Sequence, residues 1–201
     1  MASDRADIEL WRAWRAGDQA AGRSLYDRHA PALHRFFRSK VAGGDADLMQ
    51  QTFLACFERA DAVASGQVRA YLFAVARNLV VDRYRRRGVV EPVTSSVAQL
   101  DPSLGTVLHA RHELAALLGA VRRIPFDDQV LIELHYWERL TTAEIAEVLA
   151  IPQGTIKGQL VRARERVREA LAAALRNPSE VDATLDGLDA WADDVRGRVE
   201  H

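Results

Sequence analysis

The sequence predicts an all-α fold, with two small helical domains joined by a flexible linker and an acidic helix closing the chain. Three observations carry that prediction. Apolar residues make up 48% of 201 residues, whereas Gly numbers 12 and Pro 6, so the turn chemistry that a strand-rich fold needs is scarce. Apolar positions recur at three- and four-residue steps through most of the chain. One stretch, 89–110, breaks this rhythm with two prolines, adjacent serines and no Lys or Arg, and reads as the linker.

Residues 1–88 come first. In "DIELWRAWRAGDQAAGRSLYDRHAPALHRFFRSKV", Ile8, Leu10, Trp11, Trp14, Leu25, Tyr26, Leu33, Phe36 and Phe37 mark helical stripes, punctuated by Gly17 and Pro31. After Gly43-Gly44 come "DADLMQQTFLACFERAD", a short loop "AVASGQ", and "VRAYLFAVARNLVVDRYRRR". Four or so helices packed as one bundle follow from this pattern.

Residues 111–176 form a second helical unit. Leu114, Leu117, Leu118, Val121 and Ile124 share one stripe that Pro125 ends. "DDQVLIELHYW" follows, then "LTTAEIAEVLAIPQGTIKGQLVRARERVREAL". There Thr141 and Glu144 form the S/T-x-x-E capping box, with Leu140 and Ile145 at staple spacing. The helix they start buries Ile145, Val148 and Leu149 and must stop before Pro152, which also restricts Ile151. The next helix buries Ile156, Leu160, Ala163, Val167 and Leu171. Its other side carries Gln153, Lys157, Gly158, Val161, Arg162, Arg164, Arg166 and Arg168. A capped helix, a tight corner and a longer helix, apolar on one side and basic on the other, make a helix-turn-helix. Ala150 stands at the corner, where a residue tolerant of positive φ would fit most easily.

Residues 177–201 have their own start signal in Asn177, Pro178 and Glu180. Val181, Leu185, Leu188, Ala192, Val195 and Val199 then line one face of an amphipathic helix. Two readings of this extension stand side by side: a helix that caps the second domain, or one that folds back over a binding surface of the chain and restrains the free protein.

Net charge is only -1, but it is segregated. Residues 1–90 hold fifteen Lys and Arg against ten Asp and Glu; residues 177–201 hold two against seven. "RNLVVDRYRRR" places Arg77, Arg83, Arg85, Arg86 and Arg87 near Tyr71, Phe73 and Tyr84, a composition suited to a single nucleic-acid strand. Cys56 is the sole cysteine, which excludes a disulfide framework and reads as a small buried hydrophobe in a reducing compartment. No run of about 18 apolar residues or signal core exists, so a cytoplasmic protein without membrane insertion is expected.

Two nucleic-acid surfaces on two helical units resemble the plan of the extracytoplasmic-function (ECF) group of bacterial RNA polymerase sigma factors. "LYDRHAPALHRFF" is similar to the start of region 2, "DADLMQQTFLACFERA" to its core-polymerase-binding helix, and "VRAYLFAVARNLVVDRYRRR" to its promoter-melting part. "IPFDDQVLIELHYWERLTTAEIAEVLAIPQGTIKGQLVRAR" is similar to region 4. The resemblance implies domains at 1–88 (region 2) and 111–176 (region 4), the linker 89–110 and the extension 177–201. It implies polymerase contact by Asp47, Leu48, Gln50, Gln51, Phe53 and Leu54, where Gln51 replaces a usual Glu. Minus-ten binding would fall to Arg69, Arg77, Asn78, Asp82, Arg83 and Arg86, with loop 61–68 shaping a base pocket. Minus-thirty-five binding would fall to Gln153, Gly154, Thr155, Lys157, Gln159, Arg162 and Arg164. Gly158 stands where Ser is common and Gln159 where Arg is common, which bears on phosphate contacts and promoter preference. Implied partners are core RNA polymerase and promoter DNA, as duplex and as melted non-template strand, with an anti-sigma factor as a further candidate.

Two other classes are weighed against this. A stand-alone helix-turn-helix regulator with an N-terminal sensing or dimerising bundle accounts for the second unit, but not for the arginine cluster and polymerase pattern of the first. Catalysis is not expected: His29 with His34, and His109 with His112, lack further ligands at metal spacing, and no phosphate loop or nucleophile motif is present. No cofactor or metal is implied.

Overall fold

The computed structural model describes residues 2–41, 43–58, 67–86, 116–175 and 178–187. The described residues are helical and contain no strand. The linker 89–110, Asn177, most of the loop 61–68 and residues 188–201 lie outside them.

Helices α1 (Ala2–Arg15), α2 (Gln19–Lys40), α3 (Asp45–Glu58) and α4 (Val68–Arg86) build the first unit. Gly17 at φ +102° turns the chain after α1, and Asp18 caps α2 by accepting from the Ala20 and Ala21 amides at 2.9 and 3.2 Å. Pro31 does not end α2: the helix runs through it, with the ring on the exposed side. The lost hydrogen bond is tolerated because Leu25, His29, Leu33, Phe36 and Phe37, on both sides of the proline, are all buried along one face. Gly22 permits the packing of α1 on α2, since a Cβ there would meet the Trp14 indole at 2.4 Å. Trp14 in turn stacks on Phe57 of α3, ring centroids 4.8 Å apart.

The buried Asp7 carboxylate ties α1 to α2 by pairing with Arg28 and, at 2.9 Å, with His29. Burial alone would raise its pKa; the hydrogen bonds and charges of His29 and Arg28 outweigh that and hold it below the ordinary aspartate value. His34 pairs with Asp45 at 2.8 Å, and no group of three metal-ligating side chains occurs among the described residues. Cys56 is fully buried, and burial pushes its thiol up to about 12. No described helix is long and apolar enough to cross a membrane.

The second unit contains α5 (116–121), α6 (Phe126–Ile132), α7 (Thr142–Leu149) and α8 (Gln153–Ala174). The Gln129 side chain donates to the Ile124 carbonyl at 2.9 Å and fixes the α5–α6 corner. Between α6 and α7 the backbone widens into a single π turn, Glu133–Trp137, closed by the Glu138 amide donating to the Glu133 carbonyl at 3.0 Å. Sequence periodicity did not indicate this turn. Helix α9 (Pro178–Asp186) follows α8 and buries Val181 and Leu185.

One apolar core is continuous through both units, from Leu25, Phe37 and Phe73 to Leu131, Ile145 and Ile156. Burying each such side chain contributes roughly 1.5–3 kcal/mol. Helix α4 is central: it touches α1, α2 and α3 on one side and α7 on the other.

Two stability predictions follow from these local features. Ala150 takes the left-handed conformation, φ +55° and ψ +43°, that ends α7. Replacing it by Gly removes a Cβ penalty of about 1 kcal/mol, so Ala150→Gly should raise the urea midpoint without altering the m-value. Asp7→Asn should cost about 2 kcal/mol at neutral pH. Because the folded-state pKa of Asp7 is depressed, its contribution is present above the ordinary carboxylate range and is lost as pH falls through the lowered folded value. Urea titrations at neutral and acid pH should therefore show the variant and wild type converging in acid.

Candidate nucleic-acid and polymerase interfaces

The α7–α8 pair is built as its sequence dictates. The Thr141 hydroxyl accepts from the Glu144 amide at 3.3 Å, and the Glu144 carboxylate accepts from the Thr141 amide at 2.7 Å. Ile145, Val148, Leu149, Ile156, Ala163, Val167 and Leu171 are buried and Leu160 is half-buried, so the apolar stripe of α8 faces inward. Gln153, Gly154, Thr155, Lys157 and Arg162 are exposed as a consequence. At 100° per residue, Gln153, Lys157 and Arg164 lie on one flank of α8, while Thr155 and the half-buried Gln159 lie on the other. Val161, 70% exposed, lies between Lys157 and Gly158 around the helix. Arg166 is engaged elsewhere: it pairs with Asp128 and ties α8 to α6.

The minus-ten set divides into three groups on α4. Asn78, Asp82 and Arg86, at four-residue spacing, are exposed together. Arg83 folds back to the α2–α3 turn, where it donates to the Gly43 carbonyl at 3.0 Å. Gly44, at φ +76°, has no room for a side chain beside it, since a Cβ would meet the Arg83 guanidinium at 2.7 Å. The Tyr84 hydroxyl donates nearby, to the Lys40 carbonyl. Arg69 and Arg77 form the third group and point toward the second unit.

Carboxylates of the second unit meet that third group. Arg69 donates to Glu138 Oε2 at 2.8 Å, while Arg35 of α2 donates to its Oε1 at 3.0 Å. Arg77 brings both Nε and Nη2 to Asp127 Oδ1, at 3.2 and 2.6 Å. One turn from Glu138, Glu133 pairs with Lys40 and accepts from the Ser39 hydroxyl at 3.0 Å. Glu133, Glu138 and Lys40 are all buried. Burial raises the Glu133 pKa and lowers that of Lys40, with each partner opposing the shift of the other. On a regular helix Glu133 and Glu138 would point about 140° apart; across the π turn, both reach the first unit. Removing one member of such a buried pair typically costs 3–5 kcal/mol, whereas the pair as a whole contributes little net stability. These charges therefore fix the register of the two units more than they strengthen their contact.

On α3, Asp47, Gln50, Gln51 and Leu54 are exposed, and Gln51 donates to Asp47 at 2.8 Å. Leu48 and Phe53 are core residues, because they fall on the inward stripe with Met49, Thr52 and Cys56. They can shape this surface only from beneath. Two exposed aromatic residues lie outside the expected set: Phe57, one turn from Leu54 on the same helix, and Tyr26, whose ring packs tilted against Phe53 with centroids 5.0 Å apart. The i+3 spacing of Leu54 and Phe57 was the sequence signal for the first of them. Arg35, Ser39, Lys40, Asp127, Glu133 and Glu138 were also absent from the expected sites. Their one signal was an acid inside the apolar run "VLIELHYW".

Helix α9 lies along α8. Asp186 accepts from Arg164 at 2.9 Å, and Asp182 pairs with Arg168, one turn further along. These side chains are largely exposed, and such pairs contribute roughly 0–1 kcal/mol.

Comparison with known proteins agrees with this layout. The family model for sigma-70 region 2 matches residues 25–89, and that for sigma-70 region 4 matches residues 114–167. The ECF RNA polymerase sigma factor SigL of Mycobacterium tuberculosis is 30% identical over 152 residues, covering 72% of this chain and 85% of SigL. The ECF RNA polymerase sigma factor RpoE of Cereibacter sphaeroides is 29% identical over 174 residues, covering 83% and 96%. The structure of CnrH in complex with the cytosolic domain of CnrY superposes with a TM-score of 0.60 at 24% identity, covering 84% of this chain and 98% of that one, a likeness of fold. Both regions in order, on relatives matched over most of their length, place the chain in the ECF group of the sigma-70 family, alternative sigma factors that bind core RNA polymerase and direct initiation at specific promoters.

Proposed function

We propose that this sigma factor works through three surfaces and carries out no chemistry of its own. The carrying observation is the α7–α8 corner. The capping box, the left-handed Ala150 and the buried stripe of α8 together turn Gln153, Gly154, Thr155, Lys157 and Arg162 outward. That arrangement suits entry into the major groove, with side chains from the first turns at base edges and cations at phosphates. Gln159 and Arg164 contribute from the two flanks. In the first unit, Asn78, Asp82 and Arg86, with Arg69, Arg77 and Arg83, are assigned to the melted minus-ten strand. Asp47, Gln50, Gln51 and Leu54 are assigned to core polymerase, with Tyr26 and Phe57 extending that face and Leu48 and Phe53 supporting it.

The division into region 2 (1–88), linker (89–110), region 4 (111–176) and extension (177–201) belongs to the same proposal. So do a cytoplasmic location and an anti-sigma factor as a further partner; CnrH was solved with the cytosolic domain of CnrY bound. A stand-alone regulator would leave the region 2 match unused.

Run-off transcription with purified core polymerase on a library of promoter fragments tests the reading, and failure to bind core refutes it. Within that assay Lys157→Ala should weaken promoter binding across sequences and reduce the salt slope of log K by about one unit. Deleting the residues after Arg176 removes α9 from Arg164 and Arg168. If α9 restrains α8, the deletion should raise promoter-dependent transcription at limiting polymerase; a rate unchanged from the full chain at both limiting and saturating polymerase would make α9 a structural cap only.

A further inference from the structure

We propose that Val161 is a specificity-determining residue of this sigma factor: it reads the 5-methyl group of a thymine in the major groove of the duplex that α8 enters. The proposal rests on the assignment of the outer face of α8 to duplex DNA. Its own evidence is the placement of one apolar side chain. Ile156, Ala163, Val167 and Leu171 are fully buried, whereas Val161 is 70% exposed, more than Leu54, Tyr26 or Phe57. Five residues on from Ile156, it points about 140° away from it around the helix. An exposed β-branched side chain gives α8 nothing: it fills no core and is a weaker helix former than alanine. It is a surface on offer to an apolar group outside the protein.

The surroundings identify that group. Around the helix Val161 shares a strip about 60° wide with Gly154, Gly158 and Glu165. Ahead of Val161 the strip carries no side chain: the space beside Gly154 is open, and a Cβ on Gly158 would meet only the Arg162 guanidinium, at 3.9 Å. Glycine lets a backbone come close to a ligand, so α8 can settle into a groove until Val161 meets the floor. Lys157 borders the strip on one side and Arg162 on the other, as phosphate walls on either side of a groove require. One turn beyond Val161 the exposed Glu165 carboxylate ends this approach to a polyanion. Base edges on the floor of the major groove present donors, acceptors and one apolar group, the thymine methyl. Valine has no polar side-chain atom and complements that group alone. A protein partner is the poorer match, because Val161 stands singly among cations and glycines and not in an apolar patch. Both ends of the reading segment are anchored: Gln153 donates to the Thr142 hydroxyl at 3.3 Å, and Arg166 pairs with Asp128. The Val161 methyls are thus held in one place, as a van der Waals contact demands.

The test uses holoenzyme assembled from the full chain and core polymerase. Promoter fragments with the upstream duplex element randomised are selected for binding. Each thymine of the selected element is then replaced in turn by deoxyuridine, which removes only the methyl group, and the affinities are compared. One replacement should weaken wild-type binding about fourfold, the effect of withdrawing one buried methyl. The same replacement should leave Val161→Ala unaffected, and that variant should lose the preference for thymine at that position alone. Because Val161 is exposed, Val161→Ala keeps the fold, which a urea midpoint no lower than wild type checks. A selected element without thymine, wild-type indifference to every deoxyuridine, or the same penalty in both proteins overturns the methyl contact. With Lys157→Ala still weakening binding to every fragment, each of those results leaves α8 on the duplex. Weaker binding of Val161→Ala to core polymerase, with the deoxyuridine response intact, makes Val161 a protein contact and overturns the proposal as well. If Lys157→Ala binds every fragment as wild type does, the assignment of α8 fails and the methyl contact with it.

Discussion

The register of one helical unit against the other is set by two buried carboxylates, Glu133 and Glu138. A charge removed from water must be met by an opposite charge and by hydrogen bonds, or it does not stay charged. Lys40 and Ser39 meet the first; Arg35 and Arg69 meet the second. These partners come from the last turns of α2 and the first turn of α4, so satisfying the two acids sets the approach of the second unit. Apolar contact between α4 and α7 supplies area but tolerates sliding; the charges do not. The single π turn is the backbone device that lets both acids point the same way.

The two proposed nucleic-acid faces are made by different means. On α8, exposure is a by-product of burial: once Ile156, Ala163, Val167 and Leu171 go inward, the cations can only go outward. On α4, which is packed on two sides, only part of the circumference is left over. Asn78, Asp82 and Arg86 occupy that remainder, Arg83 bends to the α2–α3 turn, and Arg69 and Arg77 lie in the seam. A basic run on a central helix therefore need not become one basic surface.

That difference explains which parts were legible in the sequence. The capping box, the proline-bounded corner, the Gly43-Gly44 break and the apolar stripe of α8 are local rules, enforced within a few residues, and each is found where its pattern lies. Pro31 misled, because the stripe on either side of it outweighs one missing hydrogen bond. Leu48 and Phe53 fit a family pattern that records which residues recur and not which way they point; their helical register sends them inward. The π turn and the seam were not legible, because they depend on which distant helix stands opposite Glu133 and Glu138. An acid in the run "VLIELHYW" signals only that some partner must exist.

Cys56 carries a last consequence. It is the only sulfhydryl in the sequence, it is fully buried, and burial pushes its thiol up to about 12, away from the thiolate form at neutral pH. Peroxides and electrophiles act on thiolates, and here they meet almost none. Packing thus closes the one thiol of this fold to oxidation, and the helix that carries it keeps its inward stripe whatever the redox state of its surroundings.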